Sequence, residues 1–114
     1  MRRLLPFALL GSVSLACATA KPPLEQRTSS IASLRAAERV GADEVPNASL
    51  YLQLAREQSA RAEVLMQSGK HREAQALFER AEADAELALA LSQEEPLRED
   101  AEQLRQQLRT LGRP

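Results

Sequence analysis

The chain is 114 residues long, which gives room for one small domain, and its formal net charge is −1. Aromatic residues make up only 3% of it and no basic patch is interleaved with them, so nucleic-acid binding is not expected. One cysteine and one histidine exclude an internal disulfide and a cysteine-rich metal site, and no cofactor is expected.

The first twenty residues read as an export signal. Arg2 and Arg3 make a positive start, Leu4 to Ala16 an apolar run, and small residues follow. As a helix that run reaches about 20 Å, short of the ~30 Å hydrocarbon core of a bilayer, so a cleaved leader fits better than a membrane span. Two cleavage sites compete. Ser14-Leu15-Ala16-Cys17 is similar to a bacterial lipobox, with Ser14 where a leucine is usual. It would leave residues 1–16 as the signal, make Cys17 the lipidated N-terminus and tether the protein to a membrane. Ala18-Thr19-Ala20 has the A-x-A form of ordinary cleavage after residue 20, which would release a periplasmic protein. Ala18 after the cysteine resembles the pattern of lipoproteins sent to the outer membrane. Acyl chains at Cys17 would anchor firmly, since each buried CH₂ contributes about 0.8 kcal/mol.

Residues 17–24 then form a short tether, stiffened by Lys21-Pro22-Pro23, ahead of a helical domain over 25–114. With few aromatics and few β-branched residues after position 46, the core must come from Leu and Ala, which favours closely packed helices. The predicted fold is all-α: a small antiparallel hairpin or bundle of three to four helices at about 25–40, 47–68, 70–92 and 95–111. In the first helix Leu24, Ile31, Leu34 and Ala37 fall loosely on one side, and Gly41 suits its end. Pro46 belongs in the first turn of the second helix, with Asn47 as its N-cap. Tyr51, Ala55, Ala62, Leu65 and Met66 share that helix's apolar face, and Ser68-Gly69 closes it. The short turn at Gly69 folds the third helix back on the second.

The third helix has a main stripe of Ala74, Leu77, Phe78, Ala81, Ala85, Ala88 and Leu91, with Glu79, Glu82 and Glu86 opposite as a solvated face. A second apolar row, Ala76, Ala83, Leu87 and Ala90, suggests that the helix is sandwiched between the second helix and another. Ser92 and Glu95 have capping-box spacing and Pro96 fits a first turn, so a break is predicted there. Beyond it Leu97, Ala101, Leu104, Leu108 and Leu111 follow a 4-3-4-3 seam, roughly 160° out of phase with the main stripe. One straight helix cannot aim both stripes at one core.

Two resemblances follow from these residues. Gly69, Ala74, Phe78 and Ala81, with Ala62 before them, resemble a single degenerate tetratricopeptide repeat, in which His71 replaces an aromatic and Arg61 a leucine. Ile31–Gly41, Ala42–Pro46, Tyr51–Met66 and Ala81–Ala88 together resemble, over about residues 24–92, a bacterial lipoprotein family, domain of unknown function 4398. Some members carry a peptidoglycan-binding module, which is not expected within these 114 residues. That resemblance implies helices behind a lipoprotein signal and no catalytic residues.

His71 stands beside Lys70 and Arg72 with no partner spaced for a catalytic or metal site. The expected function is therefore non-catalytic: a helical scaffold facing the periplasm of the bacterial envelope and acting by protein–protein contact. The expected contacts are Ala83, Leu87, Leu97, Leu104, Leu108 and Leu111, whichever the fold leaves exposed. The expected partner is another envelope protein or, alternatively, a second copy of the chain in a structural assembly. A small-ligand carrier ranks below both.

Overall fold

The computed structural model describes residues 19–113. The expectations for the leader and for Cys17 lie outside the described residues. Residues 19–23 have no regular secondary structure and lead into three helices: α1, Leu24–Arg39; α2, Pro46–Gln67; and α3, His71–Leu111. A short 3-10 turn at Ala42–Glu44 joins α1 to α2. The all-α bundle holds, and the spans predicted at 70–92 and 95–111 are one helix of 41 residues.

Local chemistry sets the boundaries. Pro22-Pro23 cannot donate helix hydrogen bonds, and α1 starts directly after them. It ends at Arg39, and the chain turns away at Gly41, whose φ of +77° glycine adopts without strain. Val45 is extended before Pro46, as the residue before a proline tends to be, and Pro46 takes a first-turn position. Val45 rather than Asn47 is therefore the N-cap; Asn47 already lies inside the helix. At the other end of α2 the Gly69 and Lys70 amides donate to the carbonyls of Met66 and Leu65. With φ +77° at Gly69, this is the paired closure of a Schellman motif.

The core is a seam of small side chains. Ala48, Leu52, Ala55, Ser59 and Ala62 of α2 are buried, as are Ala74, Phe78, Ala81, Ala85, Ala88 and Ser92 of α3. Alanines let backbones approach closely, while Leu52 and Phe78 are the bulkiest side chains fully enclosed. Phe78 packs with Ala62 and Ala74 near the hairpin turn; Ala37, Ala42, Ala48, Leu52 and Ala88 form a second cluster near the α1–α2 connection. Helix α3 is central: it packs against α2 and α1, which touch each other far less. Polar pairs fix this arrangement, from Gln58 to Asp84 across α2–α3, Ser29 to Glu82 across α1–α3, and Arg27 to Glu63 across α1–α2.

The central position of α3 was expected, but not the surface that achieves it. Both neighbours pack along the main stripe and its two flanks. Ala76, Ala83, Leu87 and Ala90 are exposed on the far side. Glu82, placed with Glu79 and Glu86 on the solvated face, instead accepts a hydrogen bond from the Ser29 hydroxyl.

Pro96 does not end α3. Ser92, expected to cap a new helix, is buried inside the existing one, and its hydroxyl donates to the Ala88 carbonyl. Pro96 lacks the N–H that the Ser92 carbonyl would accept, a defect that costs about 3 kcal/mol in an ordinary helix interior. Two things lessen it. The flanking residues, Gln93 to Glu95 and Leu97 to Glu99, are mostly strong helix formers. Arg98 and Glu94 form an ion pair at 3.6 Å across the proline, in the favourable acidic-before-basic order.

Candidate protein-interaction surface

The expected contact residues fall on one helix and on its outer side. Beyond Pro96, α3 leaves the body, and every described residue from Leu97 onward is exposed. At 1.5 Å per residue the stretch from Leu97 to Leu111 extends about 20 Å past its neighbours. Leu97 is 69% exposed, Leu104 57%, Leu108 61% and Leu111 82%, while Leu87 on the body is 39% exposed. Monomeric proteins seldom leave a contiguous row of large apolar side chains in water without a use for it.

Helical continuity through Pro96 changes how the two outer rows relate. Ala83, Leu87 and Ala90 continue into Leu97, Ala101, Leu104, Leu108 and Leu111 at spacings of three and four, with Glu94 at the one polar position between. Core stripe and C-terminal seam lie on opposite sides of one continuous helix: the main stripe faces α1 and α2, and the seam faces away.

Elsewhere, polar groups tie the elements together. The Arg56 guanidinium bridges Glu38 at 2.8 Å and Asp43 at 2.9 Å, linking α2 to the end of α1 and to the 3-10 turn. Hydrogen bonds to Asp43 and then Glu38 push its already high pKa further up. His71 begins α3 half-buried, with Nδ1 enclosed and without a hydrogen-bond partner among the described residues. Among the described residues, no group of three or more His, Cys, Asp or Glu side chains converges as a metal site would require. None of the described helices is long and apolar enough to cross a membrane.

Three exposed apolar residues escaped sequence reasoning: Leu50, Leu54 and Val64 on α2. Leu50 and Tyr51 form an open groove with Leu87 and Leu91, which extends the apolar surface from α3 onto α2. The signal was present, since Leu50, Leu54 and Val64 lie off the buried 4-3-4-3 seam of α2. It was hidden because that seam is built partly from Ser59 and alanines, which do not stand out as a core.

The family model for a domain of unknown function (DUF4398) matches residues 25–104. No curated protein and no solved structure matches the chain. The matched span extends beyond residue 92, where the resemblance seen in the sequence stopped, and takes in Pro96 and Leu104. The α1–α2–α3 body and the first part of its protruding helix therefore belong together, and the chain is a member of the DUF4398 family.

Proposed function

We propose that this protein is a non-catalytic scaffold of the bacterial envelope, held to a membrane by a lipid on Cys17 and working by protein–protein contact through the outer face of α3. The observation that carries the reading is the row Leu97, Leu104, Leu108 and Leu111, exposed on a helix that has left its own bundle. Burying one such leucine contributes about 1.5–3 kcal/mol, so a partner covering the row gains a substantial contact. The α2–α3 hairpin, with Gly69, Ala74, Phe78 and Ala81 at tetratricopeptide-like positions, is the rigid base that holds this helix out.

The address rests on the leader: Arg2 and Arg3, the apolar run to Ala16, and the lipobox-like Ser14 to Cys17. An outer-membrane lipoprotein facing the periplasm fits Ala18 after the cysteine. The second reading, a soluble periplasmic protein, rests on Ala18-Thr19-Ala20. Mass spectrometry of the mature N-terminus separates them: an acylated Cys17 supports the anchor, and a free Lys21 removes it.

The contact reading is tested by affinity capture from envelope extracts, comparing wild type with Leu104→Glu/Leu108→Glu. The expected result is loss of specific partners from the variant while its helical circular dichroism is unchanged. Identical captured sets with a folded variant would remove the seam as the contact surface.

A further inference from the structure

We infer that α3 pairs with the α3 of a second copy of this chain, in parallel, forming a two-stranded coil through Leu97, Ala101, Leu104, Leu108 and Leu111. The inference deepens the contact reading above, on which it rests, by naming the occupant of the seam.

Periodicity is the first argument. Alternating steps of three and four residues repeat every 3.5 residues on average. On a straight helix such a stripe drifts by about 20° per heptad, and it stays against a partner only if the two helices wind left-handedly around each other. The stripe is also narrow. Its flanking positions carry Arg98, Asp100, Arg105 and Gln107, whereas a helix lying on a broad globular surface presents a wider apolar face. This pattern fits another helix of the same period.

Charge selects the copy and its direction. Asp100 precedes Ala101 of the seam and Arg105 follows Leu104, five residues further along. That separation joins opposite flanks of two parallel helices, so Asp100 of one copy meets Arg105 of the second, and symmetry repeats the pair. An antiparallel pair would instead set each flank against its like, Arg98 against Arg105 on one side and Asp100 against the acid- and glutamine-bearing side on the other. Within its own helix Arg105 reaches only Glu102, at 3.4 Å on an exposed surface, and remains free to turn to a partner.

The fold removes the usual objection that such a seam is too short. An isolated helix of this length is marginal in water because nucleation is unfavourable. Here the helix is already nucleated by its packed portion, His71 to Ser92, and the exposed part only continues it. Direction agrees as well. Ser29 meets Glu82, and Ala37 clusters with Ala88, so α1 and α3 point the same way and Leu24 lies at the opposite end from Leu111. A parallel pair therefore places both chain starts at one end, where two acylated Cys17 residues could enter one bilayer, with the coil pointing away.

Glu94 limits the coil at the body end. In a parallel pair it faces its own counterpart, and among the described residues its partner is Arg98 at 3.6 Å. Replacing it should join Leu97 to Leu87 and Ala90 in one uninterrupted seam.

The test uses the full chain expressed with its own leader, carrying Leu104→Cys, Leu108→Cys or, on the opposite side of the helix, Gln106→Cys. The unsubstituted protein, with only Cys17, sets the background. After mild oxidation, covalent dimers are expected at 104 and 108 at least tenfold above those at 106. Asp100→Arg should reduce dimers at 108 at least fivefold, and Asp100→Arg/Arg105→Asp should restore them. Glu94→Leu should raise the dimer fraction at limiting protein concentration by about tenfold. Equal cross-linking at 104 and 106, or no rescue by the double charge exchange, overturns the parallel pair. If cross-linking fails while Leu104→Glu/Leu108→Glu still loses a captured envelope protein, self-pairing is wrong and the contact reading stands. Dimers at 104 and 108 with an unchanged captured set leave the pairing intact and remove the foreign partner.

Discussion

The two halves of α3 are built from similar residues and used in opposite ways. From His71 to Ser92 the helix is the centre of the body, with Ala74, Phe78, Ala81, Ala85, Ala88 and Ser92 buried between two neighbours. From Leu97 to Leu111 it has larger apolar residues, and none of them is buried. Hydrophobicity alone does not place a side chain inside. The phase of the stripe relative to the neighbouring helices does, and small residues at the right phase are buried while leucines at the wrong phase are not.

The largest expected effect lies in the first half. Phe78→Ala removes the one bulky fully buried side chain of the cluster with Ala62 and Ala74 and should destabilise by about 3–5 kcal/mol, read as a lowered urea midpoint. In a domain of this size that is much of the total stability. A cost below about 1 kcal/mol would mean that this half is not the packed core.

Pro96 marks the junction. If the helix is continuous there, Pro96→Ala restores a hydrogen-bond donor and should stabilise by about 1–3 kcal/mol, with greater helical ellipticity at 222 nm. A destabilised variant would indicate that the proline ends one helix and starts another, and the contrast between the halves would become one between two elements. Next in size is Gly69→Ala. Space for a methyl group is open there, so the expected loss of about 1–2 kcal/mol comes from the backbone at φ +77°, and a thermal melt measures it. No loss would show that the turn does not hold the hairpin as described.

The smallest effect is expected in the second half. Leu104→Glu/Leu108→Glu should change the unfolding free energy of dilute protein, read by urea titration, by no more than about 0.5 kcal/mol, because both leucines are exposed beyond the body. A large loss in dilute protein would show that the exposed half folds back onto its own chain.

Much of the bundle was legible because helix signals are local. Gly41, Pro46 and Gly69 act through backbone angles and a missing donor, and each sits where the sequence placed it. Ala74, Phe78, Ala81, Ala85 and Ala88 were found by period alone. Ser59 and Ser92 were missed as core positions because a serine buried against alanines has no hydrophobic signature. In Ser92 the hydroxyl is satisfied by a backbone carbonyl one turn earlier. Pro96 misled for a related reason: the rule that proline breaks helices describes a local cost, and the strong helix formers on either side lessen it.

By itself the sequence determined that the chain is helical, where its two glycine turns fall, and that leucines recur along the final stretch. These depend on neighbours within a few residues, and backbone chemistry fixes them. Only the tertiary structure decided that the leucine seam stays outside the core. That choice depends on the angle at which α1 and α2 meet α3, and on one helix running uninterrupted past Pro96. Together they turn the alanines inward and leave the leucines facing water.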